Sequence, residues 1–250
     1  MRQSMLFSGL ENISYNINRK NHDLKLYEFG KTYHKVEEEN QERQHLMLLL
    51  TGKVNSETWN ENNNKTDFFV LKEKVEHILF RLGITKIKSE RISGYGFSAG
   101  LIYKHKRNAI VCFGKVDNKI TKSFSIKQDV FYADFNWDIV LDLIQNTKIK
   151  YSEVSKFPSV KRDLSLLIDQ KVSFKELLQI AKDTEKNILK SVSLFDVYEG
   201  DKLPEGKKSY ALSFILEDKT KTLTDKYIDK VMSKLISSYE NKVGAEVRSK

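Results

Sequence analysis

The sequence has few of the residues that cross-link small secreted domains or mark long unstructured linkers. Its 250 residues include one cysteine, two prolines and 11 glycines. A lone cysteine, Cys112, cannot form a disulfide within the chain, which is typical of proteins from a reducing compartment. We therefore expect a cytoplasmic protein whose core is held by apolar packing. Cys112 lies in the apolar run 109–113 and is predicted to be a buried hydrophobe.

Long apolar runs are also missing. No stretch approaches the roughly 18 consecutive apolar residues that a membrane-spanning helix needs. Residues 1–12 lack the basic region and the apolar region of a signal peptide. The sequence therefore predicts a protein without membrane segments.

Signatures of catalysis and metal binding are scarce. The five histidines show no metal-ligand spacing, and there is neither a P-loop nor a nucleophile elbow. The glycines of 94–100 approach a dinucleotide-binding pattern, but one residue too many precedes the third glycine and no strong helix follows. We predict a turn there, and no catalytic residue, metal ligand or cofactor in this chain.

What the sequence does contain is mixed charge with a basic excess. Charged residues make up 31% of the chain, hydrophobic residues 40%, and the net charge is +9. A basic balance suits a nucleic-acid partner, because neutralising phosphates releases counterions. The excess is spread over residues 1–150 and residues 151–250, which favours folded surfaces over a disordered basic arm.

Residues 1–150 show the periodicities of an α+β region. Leu6, Leu10 and Ile13 fall on one helical face, and this helix begins so near residue 1 that we expect a longer parent chain. Residues 37–44 are interpreted as a polar connector, and the Asn-rich stretch 60–65 as a solvated loop. The patterns predict helices at 1–18, 67–82 and 138–144, and strands at 24–33, at 45–54 and within 84–135.

Residues 151–250 are easier to interpret. Ser173 and Glu176 have the spacing of a capping box and predict the start of a helix. The elements predicted in order are a strand at 161–169, a helix at 173–186, strands at 188–198 and 208–216, a helix at 224–241 and a strand at 245–248. This β-α-β-β-α-β order is that of a ferredoxin-like domain.

Basic side chains near the strand ends are the candidates for contact with RNA. Tyr210 and Phe214 share a face with Leu212, so we expect them in the core and expect no aromatic platform on the opposite face. Arginine and lysine match phosphate groups, although solvated surface charge is the alternative for each residue. The candidates are Lys156, Lys161, Arg162, Lys207, Lys208 and Arg248.

The same segments carry a family resemblance. Residues 156–165, KFPSVKRDLS, resemble the FP-x-x-x-RD opening of the ferredoxin-fold anticodon-binding domain, and 194–200 with 207–214 are similar to its second and third strands. Residues 1–6 and 26–33, MRQSML and LYEFGKTY, resemble the β subunit of bacterial phenylalanyl-tRNA synthetase. The resemblance covers nearly the whole chain, as the C-terminal part of a longer subunit.

The resemblance implies a domain organisation and a division of labour. Residues 1–150 would be a class II synthetase-like domain without catalysis, since this sequence lacks the Arg-x-Glu of motif 2 and the glycine-rich motif 3. Residues 151–250 would bind the anticodon stem-loop of tRNA-Phe. In the family, the active site lies on the α subunit, which uses ATP and magnesium, and two α chains assemble with two β chains.

Two other functions stay open at this point. Ferredoxin-like domains also bind small amino acids at dimer interfaces, so an amino-acid-sensing regulatory domain is one alternative. A purely structural interaction module is the other. RNA binding, phenylalanine binding and protein binding would separate the three.

Overall fold

A computed structural model describes residues 1–36, 38–55, 59, 64–145, 151, 153–200 and 203–248. The chain divides into two compact units, Met1–Lys150 and Tyr151–Lys250. Within the described ranges, no helix combines the length and the apolar character that a membrane crossing requires. Residues 60–63 of the predicted Asn-rich loop lie outside the described residues.

The first unit is built on a six-stranded antiparallel sheet with the strand order β1-β2-β6-β5-β4-β3. Its elements in chain order are α1 (Leu6–Ile17), β1 (Leu24–Val36), β2 (Glu39–Thr51), α2 (Phe68–Arg81), β3 (Lys88–Gly94), β4 (Phe97–His105), β5 (Asn108–Val116), α3 (Asn118–Ser123), β6 (Val130–Asn136) and α4 (Trp137–Gln145).

Helices cover both faces of this sheet. Side chains alternate along a strand, so Leu46 and Leu50 of β2 lie on one face while Met47 and Leu49 lie on the other. The first face packs against α2 and α4, and the second packs against α1. The predicted apolar stripe of α1 is confirmed, because its members are buried: Leu6, Leu10 and Ile13.

Local signals set the ends of α2 as predicted. The Asp67 carboxylate accepts a hydrogen bond from the Val70 amide at 2.9 Å, which satisfies a free donor of the first turn. Gly83 follows the helix with φ of 72°, a left-handed conformation that glycine adopts without steric cost. The helix predicted at 67–82 is therefore confirmed, with its observed ends at Phe68 and Arg81.

The predicted polar connector at 37–44 is wrong over most of its length. Residues 39–44 belong to β2, which pairs with β1 along its whole length, from Val36 opposite Glu39 to Leu24 opposite Thr51. These residues pair with β1 alone, because the pairing of β2 with β6 begins only at His45. Because these side chains are largely exposed, apolar periodicity gives no signal for the strand.

The second unit confirms the predicted β-α-β-β-α-β order. Its sheet is antiparallel, with the order β10-β7-β9-β8. The elements are β7 (Val160–Asp169), α5 (Phe174–Thr184), β8 (Leu189–Tyr198), β9 (Lys207–Leu216), α6 (Asp225–Val243) and β10 (Glu246–Val247). With the antiparallel sheet of the first unit, this confirms the predicted α+β fold class.

Both helices of the second unit pack on one face of its sheet. The capping box is present, since the Ser173 hydroxyl accepts from the Glu176 amide and the Glu176 carboxylate accepts from the Ser173 amide. Buried Tyr239 of α6 donates a hydrogen bond to the Leu177 carbonyl of α5 at 3.1 Å. This contact joins the two helices over the core.

Candidate nucleic-acid interface

The sheet of the second unit has an open face opposite its two helices. The covered face buries alternate residues of β7 and β9 in the core: Leu164, Leu166, Leu212 and Phe214. The residues between them point the other way. Asp163 lies opposite Ser213, and Ser165 lies opposite Ala211, so these four side chains share the open face.

A depression of about 560 Å³ lies on this open face. Its lining comes from all four strands or their immediate ends: Asp163, Leu164, Ser165, Phe195, Asp196, Ala211 and Arg248. It combines carboxylates, a hydroxyl, a guanidinium and one aromatic ring. That combination offers hydrogen-bond acceptors and donors together with a stacking surface.

Phe195 is the aromatic group that the sequence prediction missed. Its side chain is 57% exposed, and the ammonium of Lys161 lies 5.6 Å from the centre of its ring. A β-bulge between Leu194 and Asp196 lets both Phe195 and Asp196 line the depression. The expectation of an open face without an aromatic side chain is therefore wrong. The sequence did contain a signal for this exposed ring. Leu194 packs against the core, and side chains alternate along a strand, so the adjacent Phe195 is directed to the open face.

Two of the six predicted basic residues meet at this depression. Arg248 lines it, and the Arg248 amide donates to the Ser165 carbonyl at 2.9 Å, which fixes the backbone beside β7. Lys161 reaches over Phe195 and lies 3.5 Å from the Asp163 carboxylate. Both charges are at the surface, where a phosphate can approach them.

Two other predicted residues have structural partners instead. Lys208 is only 6% exposed, and its ammonium donates to the Gln170 carbonyl at 2.8 Å and lies 4.6 Å from the Tyr210 ring. Arg162 pairs with Asp225 at 3.1 Å on the helix side of the sheet. Lys208 and Arg162 are therefore each held by a neighbour within the second unit, and their contact with RNA stays a prediction.

The remaining two predicted residues lie apart from the depression. Lys156 is exposed in the segment before β7, where the Ser155 hydroxyl accepts from the Phe157 amide at 3.2 Å. Lys207 begins β9 opposite Asp169, at the end of the strand farthest from Lys161. They could contact phosphates only outside the depression itself.

The first unit contains a hydrogen-bonded chain that sequence analysis did not anticipate. Nδ1 of His45 donates to Asp134 at 2.7 Å, while its Nε2 lies 2.8 Å from the Thr32 hydroxyl. Nε2 of His34 lies 3.0 Å from the same hydroxyl. A hydroxyl, an imidazole and a carboxylate in series can activate a nucleophile. Thr32 is 1% exposed, however, so no substrate reaches its hydroxyl, and this series of hydrogen bonds has a structural role.

Cys112 lies opposite Asp134 of these hydrogen-bonded residues, and its thiol is unreactive. Burial, and then the nearby Asp134 carboxylate, raise the pKa of its thiol to about 11. The thiol is therefore protonated at neutral pH, whereas a reactive cysteine needs a thiolate. In the described ranges no group of three or more histidine, cysteine, aspartate or glutamate side chains is placed to hold a metal ion.

Two family profiles match successive parts of the chain. The family profile described as phenylalanyl tRNA synthetase beta chain CLM domain matches residues 1–137. The profile described as ferredoxin-fold anticodon binding domain matches residues 155–248. The pyrrolysyl-tRNA synthetase of Desulfitobacterium hafniense is similar over 59% of this chain and 50% of its own, with a TM-score of 0.46 and 13% identity.

Curated relatives match along almost the entire chain. The phenylalanine–tRNA ligase beta subunits of Bacteroides fragilis, Bacteroides thetaiotaomicron and Porphyromonas gingivalis are 46%, 45% and 38% identical over 99% of this chain. The chain spans 32% of the length of each of these relatives. The first profile alone matches more than half of the residues. This chain therefore belongs to the phenylalanyl-tRNA synthetase beta chain family.

Proposed function

We propose that this chain contributes RNA binding and subunit contacts, rather than catalysis, to a phenylalanine–tRNA ligase. In this proposal the assembled enzyme joins phenylalanine to tRNA-Phe in the cytoplasm, using ATP and magnesium. Its active site lies on an α subunit, and two α chains assemble with two β chains. The names of the relatives support the reaction, since they are called phenylalanine–tRNA ligase beta subunits.

Residues 151–250 bind the anticodon stem-loop of tRNA-Phe through the open face. The observation that carries this proposal is the exposed Phe195 in a depression flanked by Lys161 and Arg248. Aromatic side chains stack on unpaired bases, and lysine and arginine contact the phosphates that join them. The carboxylates of Asp163 and Asp196 can accept hydrogen bonds from the amino and imino groups of a base.

Residues 1–150 act as a non-catalytic domain of class II type that supports the α subunit. The inaccessible Thr32 and the protonated thiol of Cys112 both support a non-catalytic role.

Of the six basic residues predicted to bind RNA, Lys161 and Arg248 contact the stem-loop most closely. Lys156 and Lys207 contribute at its margins.

A fluorescence titration of the full chain with a tRNA-Phe anticodon stem-loop tests the RNA proposal. The affinity should fall linearly with salt on logarithmic axes, since each phosphate contact releases counterions. Lys161→Glu and Arg248→Glu should each weaken binding and make the salt slope shallower, by about one unit per contact.

Lys230→Glu provides the matched control. Lys230 is exposed on α6, away from the open face, and the substitution makes the same change in net charge. If it weakens binding as much as Lys161→Glu does, the attraction is non-specific and the open face is not the site. Binding of phenylalanine in a calorimeter, without salt-dependent RNA binding, would instead support the regulatory alternative.

A further inference from the structure

A largely apolar groove runs along the outer edge of the sheet of the first unit. It lies between the edge strand β1 and helix α2, where two adjoining depressions have volumes of about 300 and 450 Å³. We call it the edge groove and define it by its apolar lining: Leu26, Tyr27, Phe29, Leu46, Leu48, Ile78 and Trp137.

Aromatic rings of the edge groove are exposed to an unusual degree. Tyr27 is 72% exposed and Phe29 is 56% exposed. The Phe29 ring packs edge-on against Trp137 at 5.0 Å and against Tyr27 at 6.5 Å, so the three rings form one continuous cluster. Contiguous apolar surface of this kind usually marks an interaction site.

The backbone beside these rings is also available for pairing. β1 is the outermost strand of its sheet, and its outer side is engaged near one end, where the Tyr33 amide donates to the Arg2 carbonyl. Alternate residues of an antiparallel strand direct their amide and carbonyl to the same side. Phe29 and Tyr27 therefore present theirs outward, as a template for a further strand.

The charged lining of the edge groove has one sign. Among the described residues that line it, the charged side chains are Lys25, Lys74 and Arg81, and His77 lies between the latter two on α2. Lys74 also lies 3.6 Å from the Glu73 carboxylate, but none of the described lining residues is acidic, so the lining itself is complementary to acidic groups. The apolar centre and polar rim correspond to the usual composition of a protein–protein interface.

We infer that the edge groove binds an extended segment of another polypeptide, in which acidic side chains alternate with apolar ones. Such a segment would add a strand to β1, place its apolar side chains on Tyr27 and Phe29, and place its carboxylates near Lys74 and Arg81. This inference is independent of the RNA proposal, which concerns the other unit.

Two other occupants fit less well. A second copy paired through β1 would bring together strands that each carry three lysines and one glutamate, and these would repel. RNA bases need open ring faces for stacking, whereas the three rings pack edge-on and the rest of the apolar lining is aliphatic.

The test uses the full chain with Trp59→Phe, which leaves Trp137 of the edge groove as the only tryptophan. The probe is a short peptide in which glutamate alternates with valine and phenylalanine, and a second peptide has lysine in place of glutamate. The glutamate peptide should change the Trp137 fluorescence saturably, and Phe29→Ser should weaken its binding by about tenfold or more. Hydrogen exchange at the Tyr27 and Phe29 amides should slow in the complex.

Phe80→Ser is the matched control, because Phe80 is 71% exposed on α2 and does not line the edge groove. It should leave binding unchanged, and the pair Lys74→Glu and Arg81→Glu should switch the preference to the lysine peptide. Equal binding of both peptides, or none at millimolar concentration, overturns the inference. So does competition by oligouridine for the same residues, or self-association that Phe29→Ser abolishes.

Discussion

Phe195 and Tyr239 are aromatic residues of the same domain in opposite environments. Phe195 lies exposed on the open face beside Lys161, where it contributes little to the core. Tyr239 is fully buried, its ring lies 6.4 Å from that of Phe214, and its hydroxyl donates to the Leu177 carbonyl. Substitution of the first should therefore affect binding, and substitution of the second should affect stability.

Phe195→Ala should weaken binding of the anticodon stem-loop by about 1–3 kcal/mol, because a stacked base loses its platform. The free energy of unfolding should change little, since the ring is mostly exposed. Fluorescence titration and urea denaturation measure the two quantities. Tyr227→Ala, which removes an exposed ring from α6, is the control and should leave binding as it is.

Tyr239→Phe should lower the free energy of unfolding by about 1 kcal/mol at neutral pH, because the Leu177 carbonyl loses its donor. Burial raises the pKa of Tyr239 above its ordinary value of 10.0. The unfolded chain therefore loses this proton first as the pH rises, and the stability that the neutral hydroxyl supplies is lost above about pH 10. Urea denaturation should show the wild-type advantage shrinking above that pH, whereas a constant difference would contradict this explanation.

Helix ends show how single side chains determine whole elements. At α5, the backbone amide of Ser173 and then its hydroxyl lower the pKa of the Glu176 carboxylate by donating to it. At α6, Thr224 occupies the equivalent position but makes no hydrogen bond with its side chain. The two helices of one domain therefore start with different degrees of stabilisation.

Ser173→Ala should destabilise the second unit by about 1 kcal/mol, the usual cost of losing an N-cap. Thr224→Ala removes a hydroxyl from the matching position of α6 and should cost clearly less, because no cap bond is lost. Urea denaturation of the two variants beside wild type compares these costs. Equal costs would show that the capping box contributes nothing specific to α5.

Elements with a strong local signal could be predicted from the sequence, and those held by long-range pairing could not. The helix at Phe68–Arg81 follows from Asp67, Gly83 and its apolar stripe. The first part of β2 could not be predicted, because its polar side chains face solvent and only pairing with β1 makes it a strand. A strand of this kind has no signature in its own residues.

For the whole molecule, the sequence predicted the fold and the family but only part of the candidate site. The β-α-β-β-α-β order and the family resemblance are confirmed. Lys161 and Arg248 were among the predicted residues, but Phe195 and Asp196 were not. A bulge decides how these two line the depression, and a bulge depends on pairing with β9. Burial of Lys208 likewise depends on tertiary packing that one strand does not reveal.

Photo-crosslinking tests most directly whether the open face is the surface that binds RNA. An anticodon stem-loop of tRNA-Phe with 4-thiouridine in the loop is bound to the full chain and irradiated, and the linked peptides are identified by mass spectrometry. We predict crosslinks in peptides that contain Phe195, Asp163 or Arg248, and their loss at high salt. Crosslinks confined to α5 and α6, on the covered side of the sheet, would contradict the proposed function.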